Sequence, residues 1–362
     1  MSTVSPQPET SAPAESTRVT TRVGQIRARL PWLGDIARQQ GALIALIIVV
    51  VFSFIRYDNF DAITINNVLN FNAQFGLIAL GMTFVIMTGG IDLSVGGIAA
   101  LASVVAALTS SHGFFYALTA AIITGTVVGM VNGFVVAWMR IPPFITTLAT
   151  LYIVRGIALR LINDAASINL NQKSDFNTVA ATTIGNFNPA LPFTIPLLII
   201  AFLIGILVLR YTRFGRNVLA VGGNPEAAQL MGLPVKRTLF LVYTLSGALT
   251  GLVGVLLAIN LSGGSATEGV GWELIAIAAV VVGGTLLTGG VGSVFGTFIG
   301  VLLLGMIVEI LQLENNYTID HGGGGLNLNS FWQNVIRGIF LLVVVLLQSR
   351  LQRKRAKKTT TT

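Results

Sequence analysis

Ten apolar segments follow one another along the chain, at 41–55, 68–88, 95–110, 114–138, 143–162, 193–209, 238–260, 273–287, 292–311 and 332–348. A helix needs about 20 apolar residues to cross the hydrocarbon core of a bilayer. Lipid offers no partners for backbone polar groups, so runs of this length pair them internally, as helices. The pattern predicts an all-α, polytopic membrane bundle of about ten transmembrane helices. Several segments are shorter than a perpendicular span and are interrupted by glycine. Such pieces predict a broken or re-entrant segment of the kind transporters place near the midplane. Segments 68–88 and 95–110 flank one such break.

Composition points the same way. Hydrophobic residues make up 53% of the chain and charged residues only 10%, against about 25% charged in soluble domains. Mean hydropathy is +0.80. So few charges cannot clothe a soluble enzyme, and such hydropathy excludes an intrinsically disordered chain. There is no cysteine, so disulfides, thiol nucleophiles and cysteine metal sites are excluded. The two histidines, His112 and His321, are too few for a histidine-rich metal site.

The net charge of +8 is explained by where the basic residues lie. With the N-terminus inside, the cytoplasmic regions are 1–40, about 89–94, 139–142, 210–237, 288–291 and 349–362. They hold 17 of the 22 Lys and Arg residues. The opposite loops hold Arg56 and Lys173, while Arg155, Arg160 and Arg337 lie in or at the ends of spans. This is the positive-inside distribution of a multi-pass protein with both termini cytoplasmic. Nucleic acid is not needed as a partner, and no module that reads it is present. Residues 1–40, rich in Ser, Thr and Pro and then basic, predict a disordered cytoplasmic tail. The transmembrane core is 41–348, and 349–362 is a second basic cytoplasmic tail.

Glycine recurs at four-residue spacing at Gly125, Gly129 and Gly133, at Gly292, Gly296 and Gly300, and at Gly247 and Gly251. Small residues so spaced let helices pack closely in lipid. Packing within the subunit is the simpler expectation, and a subunit interface is the alternative.

Three regions carry chemistry. The cytoplasmic stretch 210–237 reads RYTRFGRNVLAVGGNPEAAQLMGLPVKR. Asn224 suits a helix N-cap, Pro225 the first helical position and Glu226 the first turn. Gly232 and Pro234 then stop the helix. Its apolar tip, Leu230 and Met231 beside Gln229, is a ready knob for a partner groove; a solvated connector is the plain alternative. The second region, GGIDLSVGG at 89–97, sets Asp92 between glycine pairs, where a carboxylate is costly unless partnered. Asp92, with Ser94 beside it, is placed to cap the next segment. In the third region Asn66, Asn70 and Gln74 share one helix face by their four-residue spacing. Phe71 and Phe75 lie on an adjacent face. Amides and rings together suit a sugar's hydroxyls and its C–H face, though amides also tie helices together in lipid.

Glu226, Ala227, Ala228 and Gly232 are similar to the EAA-x3-G pattern of ABC-importer permeases. In that family the loop is the coupling element that inserts into the ATP-binding subunit, which here implies docking at Gly222, Gly223, Asn224, Glu226, Ala227, Ala228 and Gly232. GLIALGMTFVIMTGGIDLSVGG at 76–97, the loop at 215–237, and WELIAIAAVVVGGTLLTGGVGSVFGTFIGVLLLG at 272–305 resemble the ribose/xylose-type sugar permeases. The resemblance covers roughly 41–348. GGTLLTGGVGSVFGT, with the late FWQNVIRG and VVLLQ, is most similar to a galactofuranose-transporter permease, and 312–330 resembles an insertion. The resemblance implies a vitamin-B12-importer-like (type II) architecture in the bacterial plasma membrane. It also implies a second permease (a homodimer or heterodimer), a periplasmic sugar-binding protein, and ATP with Mg bound in the partner ATPase, with no cofactor in this chain. Asn66, Asn70, Phe71, Gln74, Phe75, Asp92 and Ser94 are the candidate sugar path.

Other readings are weaker on the residues. LSGGS at 261–265 mimics an ATPase signature, yet no phosphate loop accompanies it, and it reads as a turn in an external loop. Asn316-Tyr317-Thr318 fits a glycosylation pattern only. An ion-coupled secondary transporter would need an intramembrane titratable network. Asp92 and Glu309 stand isolated in sequence, with Glu309 expected to be solvated or paired. A membrane enzyme has no spaced ligand set near His321.

Overall fold

The computed structural model describes residues 31–57, 60–171, 175–180, 183–184 and 191–320, with six positions between 332 and 342. The helices are α1 Pro31–Arg56, α2 Ala62–Met87, α3 Val95–Thr109, α4 Phe114–Phe134, α5 Pro143–Leu161, α6 Phe176–Ala180, α7 Thr194–Tyr211, α8 Arg213–Gly223, α9 Pro225–Leu230, α10 Val235–Asn260, α11 Trp272–Val282 and α12 Val294–Asp320. Four short strands complete it: β1 Ser167–Asn169, β2 Thr183–Ile184, β3 Leu191–Pro192 and β4 Gly263–Ser265. β1 pairs antiparallel with β4, and β2 with β3. Among the described residues, seven helices are long and apolar enough to cross a membrane, and α11 and the apolar part of α1 are shorter.

Each of the first nine apolar segments coincides with a helix, but several ends differ. The helix expected over 68–88 begins at Ala62, because the Asp61 carboxylate caps it, accepting from Ile63 and Thr64 N–H at 3.0 and 2.9 Å. The segment expected over 273–287 stops at Val282, where Gly283 follows and Gly284 turns the chain at φ +90°. Segment 292–311 runs on to Asp320. The tail regions 1–30 and 349–362, His321 and Gly322–Gly325, and all but six helical positions of 332–348 lie outside the described residues.

The glycine seams pack inside the chain. Gly125 and Gly129 of α4 press against Gly247 and Gly251 of α10, and Gly133 meets Phe240. With no Cβ on either side the two backbones touch, which is how helices without large side chains associate in lipid. Gly296 and Gly300 likewise meet Gly283 and Ala279 across the α11–α12 turn, while Gly292 sits against the Met87 side chain. The main core gathers around α2, α3 and α10, with Leu77, Ile78, Met82, Phe84 and Tyr243 fully buried.

Two features were not foreseen. The 213–223 stretch is a helix, α8, started by Thr212, whose hydroxyl accepts from Gly215 N–H at 3.1 Å. LSGGS is not a simple turn, since its Gly263–Ser265 pair with Ser167–Asn169 as a buried strand. Side chains at 263 and 264 would strike the β1 and α3 backbones, so glycine is what admits the strand there.

The bundle is broken twice, from opposite faces. After α2 ends at Met87, residues 88–94 fold back into the bundle before α3 starts. After α10 ends at Asn260, residues 261–271 do the same from the other end. Gly264 abuts Ser103 and Val104, while Gly269 abuts Gly96. From Gly96 to Val104 α3 advances by eight residue steps, about 12 Å of helix rise. α11 therefore starts deep within the bundle, its first turn beside the first turn of α3. It runs back toward the Met87 face, where Gly290 N–H donates to the Met87 carbonyl at 2.9 Å.

Candidate functional site

The first candidate lies on the Met87 face. Here α8 and α9 form a corner between α7 and α10. Asn224 is the N-cap of α9, its Oδ1 accepting from Ala227 N–H at 2.9 Å, and Pro225 occupies the first helical position. The helix ends where Leu233 N–H donates to the Ala228 carbonyl at 3.0 Å. Gly232 at φ +77° makes that turn possible. Ala228 is buried as the foot of α9, Ala227 is half-buried, and Gly223, Asn224 and Glu226 are exposed. Leu230 and Met231 project from the tip, 89% and 69% exposed. Gly222 fits against the Met87 carbonyl and Gly290 N–H, where a side chain would collide. The corner is thus an apolar knob whose base is locked to the ends of two other elements.

Asp92 and Ser94 lie in the first break and are fully buried. Asp92 Oδ1 accepts from Ser94 N–H at 3.0 Å and from the Ser94 hydroxyl at 2.5 Å, and its Oδ2 accepts from Ser246 Oγ at 2.9 Å. Ser94 Oγ accepts from Asn132 Nδ2 at 2.9 Å, and Asn132 Oδ1 accepts from Thr150 Oγ1 at 2.6 Å. Thr147 adds a bond from Leu93 N–H at 3.0 Å. Asp92 is not the cap of α3: Ser94 takes that position and makes no side-chain cap bond. The carboxylate instead bends the loop locally and joins it to α10, while Ser94 joins it to α4 and, through Asn132, to α5. Ser246 lies eleven residues into α10, about 16 Å from its start, so the network sits well inside the bundle. Satisfied this way, buried polar groups specify one arrangement of a loop.

The amide face of α2 divides. Asn70 accepts from the Thr194 hydroxyl of α7, so it ties helix to helix. Gln74 is buried and Asn66 half-buried. Asn72, not singled out from sequence, is buried and donates to the Val68 carbonyl at 2.7 Å. Phe71 is 57% exposed, its ring 5.6 Å from Phe75, whose ring lies 5.1 Å from Trp272 at the start of α11. Phe71 and Phe75 are therefore brought together, whereas Asp92 and Ser94 belong to a separate cluster. Glu309 is half-buried on α12, and its carboxylate has no hydrogen-bond partner among the described residues.

Sequence reasoning missed the second break as a polar centre. Arg155, on α5, donates to the Ala266 and Glu268 carbonyls at 3.0 Å each, within electrostatic reach of the Glu268 and Glu273 carboxylates. An arginine inside an apolar span was the available signal, and Glu273 opening an apolar run was a second. Neither shows its partner at a spacing of more than 100 residues. Among the described residues, no group of three His, Cys, Asp or Glu is placed to hold a metal ion.

Apolar helices broken at depth by glycine-rich polar loops define a multi-pass membrane protein of the transporter kind. The chain belongs to the family described as permease components of branched-chain amino acid transport systems, whose model matches residues 64–345. It is 35% identical over 326 residues to the ribose import permease protein RbsC of Haemophilus influenzae, covering 89% of this chain and 97% of that one. It is 36% identical to the L-arabinose ABC transporter permease protein AraH of Azospirillum brasilense (87% and 89%) and 37% identical to RbsC of Bacillus subtilis (84% and 90%). These matches bear out the resemblance to sugar permeases drawn from the motifs. No solved structure matches the chain.

Proposed function

We propose that this chain is the membrane-spanning permease subunit of an ATP-driven, binding-protein-dependent monosaccharide importer of a bacterial plasma membrane. The observation that carries the reading is the near end-to-end similarity to ribose and arabinose permeases, joined to a protruding, capped α9 on the Met87 face. We assign that face to the cytoplasm: 210–237, placed inside by its basic residues, and the stretches near 89–94 and 288–291, placed inside by the alternation of spans, come together there through Met87, Gly222 and Gly290.

In this reading the ATP-binding subunit grips α9, with Gly222, Gly223, Asn224, Glu226, Ala227, Ala228 and Gly232 as the coupling residues. ATP and Mg are bound and hydrolysed there, and this chain performs no covalent chemistry. A second permease, identical or different, completes the pathway, and a periplasmic sugar-binding protein delivers cargo on the opposite face. With 332–348 as the tenth helix, the bundle follows the vitamin-B12-importer-like plan. The two nucleotide states of the partner favour two arrangements of the permease, as any ligand-driven switch requires. Phe71 and Phe75 contribute to the sugar path, Asn66 and Gln74 supply amides beside it, and Asp92 and Ser94 shape it by holding the first break.

The test is uptake by the complex reconstituted in proteoliposomes with its ATP-binding and sugar-binding subunits. Flux should require internal ATP. Flux that continues without ATP and follows a proton or sodium gradient would overturn the reading in favour of an ion-coupled transporter.

A further inference from the structure

We propose that the second break is a sugar-holding station, in which the Trp272 ring, braced by Phe75, is a plate for the C–H face of a monosaccharide and Glu273 accepts hydrogen bonds from its hydroxyls. The proposal rests on the sugar-permease reading above and names where in the pathway the cargo is met.

The first argument is depth combined with polarity. Residues 266–273 reach about 12 Å into the bundle below the β1–β4 pair, by the rise of the α3 residues they pass. Thr267 and Glu268 are nonetheless exposed there, and Glu273 is partly so. Polar groups at such depth face water or a partner chain, not lipid. The exposed large residues of α4, α5 and α7, among them Ile123, Val127, Ile157, Ile200 and Leu203, have no such acidic neighbours in their helices, whereas at the second break the exposed Val270 and Leu274 alternate with Thr267, Glu268 and Glu273.

The second argument is chemical. Binding sites for small polar ligands combine apolar plates with a few convergent polar groups. Phe75 and Trp272 meet edge to face at 5.1 Å, an arrangement that fixes the indole. Beside it, Glu273 Oε2 is buried without a hydrogen-bond partner among the described residues. Buried carboxylate oxygens are normally satisfied; this one is enclosed beside Gly96 while the rest of the side chain is partly exposed, so a hydroxyl donor from outside the chain reaches it once the carboxylate turns to its open side. A cyclic sugar brings hydroxyl donors and a C–H face together. Arg155 offsets much of the local negative charge, which suits a neutral ligand better than a cation.

The third argument is rigidity. Arg155 pins the loop by two backbone carbonyls, Gly96 and Gly269 pack backbone to backbone, and Gly271 at φ +80° sets the turn that aims Trp272 and Glu273. A site held this firmly is preorganised, which lowers the entropic cost of binding.

The natural absence of cysteine makes the test direct. Thr267→Cys and, as a lipid-facing control, Ile200→Cys are introduced singly into the complete reconstituted importer. They are treated with a charged, membrane-impermeant methanethiosulfonate, with and without ATP. D-ribose, L-arabinose and D-galactose serve as probes for both protection and uptake. Thr267→Cys should be labelled and Ile200→Cys should not. A probe the wild-type complex transports should slow that labelling. Glu273→Gln and Trp272→Leu should lower kcat/KM for that probe about tenfold or more, as loss of a charge-assisted hydrogen bond or a stacking plate does, while Trp272→Phe keeps most of it. Labelling unaffected by a transported probe, or wild-type kinetics in both variants, would overturn the station while leaving the importer reading intact. A wild-type complex that hydrolyses ATP but moves no sugar would overturn both.

Discussion

Ser246 donates a 2.9 Å hydrogen bond to Asp92 across 154 residues of chain, and both side chains are wholly buried. One oxygen of the carboxylate is served by Ser94 and the other by Ser246, so each donor has a distinct place. Ser246→Ala should cost about 1–3 kcal/mol, the penalty for stripping a donor from a buried acceptor, read as a lower Tm of the detergent-solubilised protein. Asp92→Ala should cost more, because Ser94 and Ser246 both lose their acceptor. A Ser246→Ala protein with unchanged Tm would remove the bond from the stabilising set. Asn132→Ala, which acts through Ser94, should couple non-additively with Ser246→Ala in a double-mutant cycle.

The α4–α10 seam gives a paired test of close packing. A methyl group at Gly129 would lie 3.0 Å from the Gly247 Cα and closer still to the Tyr243 carbonyl, whereas at Gly156 of α5 nothing lies within 4 Å. Gly129→Ala should therefore destabilise by about 1–3 kcal/mol. Gly156→Ala should be neutral or stabilising by up to about 1 kcal/mol, from helix propensity alone. Thermal unfolding of the two variants side by side separates the effects, and equal Tm values would show that the seam tolerates a Cβ.

For coupling, the exposed tip and its terminating glycine are the points to change. Glu226→Lys reverses charge in the first turn of α9, and Gly232→Trp puts a bulky side chain where φ is +77°. Each should lower ATP-driven uptake by more than tenfold, the scale of losing an interface hot spot. Membrane insertion should persist. Uptake at the wild-type rate in both would mean that α9 is not the docking element.

Tyr57, just beyond α1, donates to Glu314 Oε2 at 2.7 Å. Burial first, and then that hydrogen bond and the Glu314 charge, push its phenol up to about 12. The folded state thus holds this proton more tightly than the unfolded chain does. The resulting stability is complete below pH 10, the ordinary tyrosine value, and is lost as pH rises from there toward 12. Tyr57→Phe should remove this alkaline decline from the unfolding profile while leaving the profile near neutral pH parallel to wild type. An identical alkaline decline in the variant would assign it to another group.

How much was legible in the sequence depended on the range of the interaction. The α9 cap was readable because Asn224, Pro225 and Gly232 act on neighbours within a few residues. Helix cores were readable because lipid demands long apolar runs. Packing of the glycines inside the chain was the simpler expectation and is what the helices do. The strand at Gly263–Ser265 was not readable, since its partner at Ser167–Asn169 lies about a hundred residues away and glycine normally argues against strand. Asn70 shows the same limit: its spacing with Gln74 suggested a common face, but its partner, Thr194, comes from another helix. The polar second break escaped because Arg155, Glu268 and Glu273 converge only after α5, α10 and α11 are in place.

The seat of Gly222 has a mechanical consequence. At that point the α8 backbone rests directly on the last carbonyl of α2 and on the turn before α12, with no flexible side chain between them. α2 leads straight into the break held by Asp92, and that turn joins α11, which begins at the break holding Trp272. In the proposed coupling, a displacement of α9 would pass toward both interruptions through main-chain contacts, without the backlash that rotatable side chains would introduce. One contact thus borders the elements that lead to both interruptions, and an intruding methyl at residue 222 would disturb the two together.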